Sequence, residues 1–130
     1  MNDQNRSSRQ FARGVAAVAG PVFALPLFLD PYGWARRFGW KKEPETDVGL
    51  YFGRCLGAMA IASCVQAVRA SRDPERHRAY FEFSETAAWL LAAVHVRGLL
   101  ERRQPPIEHA EIVGWSAMAI GARRFAPRRS

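Results

Sequence analysis

Three residues able to hold ions or move protons fall within otherwise apolar stretches of this sequence: Arg54, His95 and Glu111. An ionisable group in a segment facing hydrocarbon is costly enough to demand a partner, so each marks a site only if another can reach it. At about 1.5 Å per residue, Arg54 lies about 9 Å in from Val48, His95 about 8 Å in from Leu100 and Glu111 about 6 Å in from Ile107. All three are therefore expected at one depth. Asp47 stands two helical turns before Arg54, Tyr51 stands three residues before it, and Glu108 shares a helix face with Glu111. The expected constellation is Arg54, His95 and Glu111, with Asp47, Glu108 and Tyr51 at its mouth. Three chemistries suit it: an ion pair that only fixes helix register, a pocket holding an anionic or lipid-like ligand on Arg54, and a pair, His95 and Glu111, that passes a proton.

Other chemistries lack their residues, and no metal or cofactor is expected. Glu108 and Glu111 are not joined by the two Glu-x-x-His segments of a di-iron bundle. His95 and His109 fall at different depths, His77 sits in a charged connector, and Cys55 and Cys64 are about 13 Å apart along one helix, too far for a disulfide. Nucleotide-binding, P-loop, hydrolase-elbow and zinc-protease motifs are all missing.

The elements that must position these residues are four apolar stretches separated by charged connectors. The chain has 130 residues, enough for one domain, with 19 Lys+Arg against 12 Asp+Glu and a formal charge of +7. Gly14 to Leu29 carries no charge, and with Phe11 to Arg13 it makes a helix over about 11–29 that contains Pro21 and Pro26. Such prolines suit a membrane bundle where neighbours satisfy the freed carbonyls. A secretory signal is the competing reading of this stretch, but its one A-x-A triplet, Ala17 to Ala19, comes too early in the apolar run. Val48 to Val68 carries only Arg54 and anchors the strongest span, about 48–70; Gly49, Gly53 and Gly57 line one face of it, suited to close contact with another helix or a second copy. Helices over about 83–103 and 107–124 follow as a hairpin turned at Pro105-Pro106, and both are short of apolar residues for a full crossing. Glu85 is expected to pair with Arg69 or Arg123 at the far end.

Between the first two stretches, residues 31–42 alternate Tyr32, Trp34, Phe38 and Trp40 with Arg36, Arg37, Lys41 and Lys42, the composition of an interfacial segment anchored at lipid headgroups. Basic residues outside the stretches divide eleven to seven between the two ends, which places both termini in the cytoplasm. The arginines flank apolar helices instead of lining one polar face, so nucleic acid is not the expected partner.

The fold class is thus all-α, a four-helix transmembrane bundle with a short interfacial segment after the first helix. Its layout, from DPYGWARRFGW through DVGLYFGRCLGAMA and SETAAWLLAAVHVRGLL to QPPIEHAEIVGW, resembles small bacterial four-helix membrane proteins of the DoxX-like and unknown-function kind. That resemblance implies a compact protein of the inner membrane, often a component of a larger complex. The residues leave three functions open: an accessory subunit packing through the glycine face, a ligand-binding protein or small enzyme built on Arg54, His95 and Glu111, and a soluble basic bundle.

Overall fold

The structure is a computed structural model that describes residues 3–41 and 44–128; Lys42 and Arg129, two of the basic residues counted above, lie outside the described residues. The fold is all-helical, with no strand among the described residues. There are five helices where the sequence suggests four: α1 Asp3–Leu29, α2 Pro31–Arg37, α3 Asp47–Arg72, α4 Arg78–Glu101 and α5 His109–Phe125. The additional one, α2, is the segment read as interfacial. It is capped by the Asp30 carboxylate, which accepts from Gly33 N at 2.8 Å, and it starts on Pro31, whose missing N–H no helix would have used.

Helix α1 begins eight residues earlier than the hydropathy pattern suggests, because the polar leader has partners within the chain. Ser8 is fully buried and donates to the Phe125 carbonyl, Gln4 donates to the Ala126 carbonyl, and Asn5 reaches Glu75. Further along, Pro21 lies in a five-residue π-helical turn, Gly20–Ala24. Pro26 has no N–H to return to Val22, and the freed Val22 carbonyl is taken by Trp34 Nε1 at 3.2 Å. The break is repaired by a side chain from α2.

Helices α1 and α3 pack along one another, as do α4 and α5, while the two pairs touch more sparingly. The glycine row is what brings the first pair together. A Cβ on Gly57 would stand 2.4 Å from the Phe28 backbone nitrogen, one on Gly53 2.4 Å from Pro31 Cβ, and one on Gly49 2.1 Å from the Tyr32 hydroxyl. The face read as a contact for a partner or second copy is therefore filled by the chain's own residues 28–32.

Small residues make the interior. Ala12, Ala67, Ala70, Ala88, Ala92, Ala119 and Ala122 are buried, with Ser8, Ser71 and Ser84 among them, and Phe81 is the largest fully enclosed side chain among the described residues. Phe11 lies against both Phe81 and Phe125, closing the end where the two termini meet. At that same end Glu85 meets Arg123 at 3.8 Å, as expected, across a mostly exposed contact. The large apolar side chains point outward: Leu29 is 68% exposed, Phe52 65%, Leu90 64%, Leu100 77% and Val113 71%. Helices α1 and α3 are each long and apolar enough to cross a membrane.

Because the obstacle at Gly57 is backbone, it cannot swing aside as a side-chain tip would. Gly57→Ala is expected to cost about 1–3 kcal/mol by forcing α3 away from Phe28, whereas Gly14→Ala, whose Cβ meets nothing within 4 Å, leaves stability unchanged or slightly higher. Thermal unfolding of both variants in mild detergent checks the pair, and equal melting temperatures would contradict this packing.

Candidate functional site

At the end of the bundle away from the termini, α4 and the start of α5 bring His95, Glu108 and Glu111 together. The local chain path explains how. Helix α4 closes on Arg102 in the left-handed conformation (φ 54°), with Arg103 N–H bonded back to the Gly98 carbonyl at 3.1 Å. This folds Gln104 onto Gly98, where only a missing Cβ leaves room: one built there would lie 2.1 Å from Gln104 Cδ. Pro105 is extended, and Pro106–Glu108 forms a single 3-10 turn that leads into α5. Glu108 and Glu111, three residues apart, then face the same imidazole.

His95 lies between the two carboxylates. Its Nε2 is 3.1 Å from Glu111 Oε2, and its Nδ1 is 3.6 Å from Glu108 Oε2 and 3.5 Å from the Gln104 amide. Two indole N–H groups complete the set: Trp40 Nε1 donates to Glu108 Oε1 at 2.9 Å, and Trp115 Nε1 donates to Glu111 Oε2 at 2.8 Å. Glu108 is 2% exposed and His95 8%, so these two are desolvated, while the Glu111 side chain stays 22% exposed. Burial pushes the Glu108 carboxyl above the usual carboxylate range; the Trp40 hydrogen bond and His95 act against this, and the Glu111 charge adds to it.

One donor from each of the three residues falls within 4.8 Å of the other two, a grouping able to hold a metal ion. The expectation of no metal rested on the absent paired Glu-x-x-His of di-iron bundles, on the different depths of His95 and His109 and on His77 lying in a charged connector, and none of these covers this mixed set, with Glu108 and Glu111 at the start of α5 and the imidazole on the preceding helix. Trp40, Trp115 and Gln104 were missed by sequence reasoning. The available signal was that a partly buried indole needs an acceptor for its N–H.

Arg54 is not part of the site. It is exposed, with no ion pair or hydrogen bond among the described residues. It follows Gly53 by one residue, about 100° round the helix, and so stands off the face that packs on Pro31. Asp47 and Tyr51 are also exposed, Tyr51 lying against Phe52. The expected depth of the charges therefore did not translate into a shared face. Of the expected headgroup anchors, Arg36 and Arg37 are exposed, Arg36 pairing with Glu45 at 3.0 Å. Trp34 instead packs edge-on to Phe23, the Tyr32 hydroxyl meets Thr46, and Trp40 serves Glu108.

A cleft of about 580 Å³ opens between α1 and α5 beside this site. Its walls include Phe11, Val15, Val18, Phe23 and Met118, and among the described residues Glu111 is the only ionisable group that lines it. Comparison of the chain with known protein families, with curated proteins and with solved structures finds no match.

The raised Glu108 pKa carries a sign. The folded state holds this proton more tightly than the unfolded chain does, so the contribution to stability is full at acid pH and is lost as pH rises from the ordinary carboxylate range through the raised value. Glu108→Gln keeps an acceptor for Trp40 and removes the titration. In chelator-treated protein it is expected to raise the melting temperature relative to wild type at neutral pH more than at acid pH; an equal shift at both would show that burial of this charge does not matter.

Proposed function

We propose that the chain is a small polytopic membrane protein that binds a single-chain, lipid-like amphiphile in the cleft between α1 and α5, the ligand's polar end meeting Glu111. The observation that carries the binding reading is the make-up of that cleft: apolar along its walls, with one carboxylate at the His95 end. From Gln10 to Phe23 it follows α1 for about 20 Å, which suits an extended chain better than a compact molecule. Its volume is in the range of small-molecule sites.

Support for the membrane comes from the inverted distribution of side chains. Bundles in hydrocarbon gain little by burying large apolar groups and associate through small ones, which is the arrangement of α1 with α3 and of α4 with α5. Both termini lie at the end richer in arginine, which favours their placement in the cytoplasm of a bacterial-type cell, with the chain in its inner membrane. An anionic ligand is disfavoured here because the charged group in the cleft is a carboxylate and Arg54 is elsewhere. The polar end of the ligand should be a hydrogen-bond donor or a cation.

Gly14 and Gly114 both line the cleft, and a Cβ on either meets nothing within 4 Å. Gly14→Leu with Gly114→Leu is therefore expected to fill the cleft without disturbing the helices. Wild-type protein, held in membranes through a carbonate wash, extracted in mild detergent and treated with chelator, should bind a long-chain amine or alcohol at least tenfold more tightly than a fatty acid of equal length. The filled variant should stay in the membrane fraction and lose that binding. Release by carbonate would overturn the membrane reading, and equal binding by the filled variant would overturn the cleft.

A further inference from the structure

We infer that His95, Glu108 and Glu111 form a site for one divalent first-row transition-metal ion. The inference goes beyond the amphiphile reading and does not rest on it. Its first support is charge. The three residues bring two carboxylates and one imidazole together, His95 and Glu108 buried and Glu111 partly so, with no Lys or Arg among them, so even a protonated His95 leaves the ionised site one negative charge in excess. Buried charge of that kind is ordinarily matched by an ion or a proton.

The second support is geometry. An ion with bonds of about 2.0–2.2 Å to nitrogen and oxygen holds neighbouring donor atoms about 3 Å apart, and His95 Nε2 and Glu111 Oε2 are 3.1 Å apart. Trp40 occupies Oε1 of Glu108 and leaves Oε2 on the imidazole side. Trp40 fixes Glu108 by the oxygen turned away from His95, and Trp115 donates to the Glu111 Oε2 that faces His95, so both carboxylates are oriented by outer groups, as metal ligands are.

The third support is an orphan. Gln104 Oε1 is buried without a hydrogen-bond partner, while its amide nitrogen is set 3.5 Å from His95 Nδ1. Turning that amide over exchanges the two atoms: the oxygen then accepts from Nδ1–H, the amide nitrogen takes the unpartnered position, and the Nε2 lone pair faces Glu111, free for a metal. Gly98 is the residue that permits this approach. Imidazole with carboxylate favours zinc, manganese or ferrous iron, while calcium prefers six to eight oxygens and cuprous ion prefers sulfur.

The test uses full-length protein in mild detergent, stripped with chelator and titrated with Zn²⁺, with Mn²⁺ and Ca²⁺ alongside, and read by calorimetry and by metal content after desalting. One Zn²⁺ or Mn²⁺ per chain is expected, bound at least a hundredfold more tightly than Ca²⁺. Glu108→Gln and His95→Ala should each abolish the tight phase, and His77→Ala, in the distant connector, should leave it unchanged. If either ligand variant fails to fold, Trp40→Phe and Gln104→Leu carry the test, with an expected loss of about 10- to 100-fold. No tight phase in wild type, or a tight phase that survives in Glu108→Gln or in both outer variants, overturns the site. The Gly14→Leu, Gly114→Leu protein separates the two proposals, because it should keep the metal while losing the amphiphile.

Discussion

A carboxylate with 2% exposure cannot be left without partners, and much of this fold follows from how Glu108 finds them. One partner, Trp40, comes from the segment after α2; the other, His95, comes from α4. The two helix pairs, α1 with α3 and α4 with α5, are otherwise loosely joined along their length. Glu108 ties them at one end, while Ser8, Gln4 and Phe11 tie them at the other through the Phe125 and Ala126 carbonyls and the Phe81 and Phe125 rings. Between the two ties, the cleft stays open.

Within each pair the contact is made by what is missing from the side chain. Gly53 and Gly57 admit Pro31 and the Phe28 backbone, and Gly98 admits Gln104; between the pairs, Gly121 lies against Phe11, a Cβ there coming within 2.7 Å of its ring. Close backbone approach gives dispersion contacts that a row of leucines would prevent. It also frees the large side chains to face outward, which the proposed membrane setting would accept at no cost. The same packing places Trp34 over the Val22 carbonyl, so the proline break in α1 leaves no orphaned acceptor there.

How far the sequence reached depended on which physical signal was involved. Hydropathy located the four long helices to within a few residues at most of their ends, and Pro105-Pro106 located the hairpin, because both are properties of local composition. His95, Glu108 and Glu111 were legible as a group for a similar reason: the Glu108 and Glu111 spacing and the hairpin depth place them together without knowledge of the rest. Arg54 was misplaced because depth along a helix says nothing of direction around it, and the glycine row that sets the direction of α3 turned out to face residues 28–32. The polar leader, Trp40 and Gln104 depend on contacts between residues far apart in sequence, or on a left-handed residue at Arg102 that composition does not announce.

Exchanging Arg54 for Glu108 changes the character of the site. With the guanidinium present the cluster would have been close to neutral and suited to anions; with two carboxylates around one imidazole it is an acceptor-rich pocket that calls for positive charge. A proton and a metal ion are the two candidates, and they compete for the same oxygens. A proton on Glu108 neutralises the excess but turns Oε2 into a donor beside His95 and leaves Gln104 Oε1 unmatched. A metal on Nε2 would draw on all three residues and set Nδ1–H toward Gln104, whose amide, turned over, accepts from it. The hydrogen-bonding requirement of an amide in the turn therefore bears on what the helices hold between them.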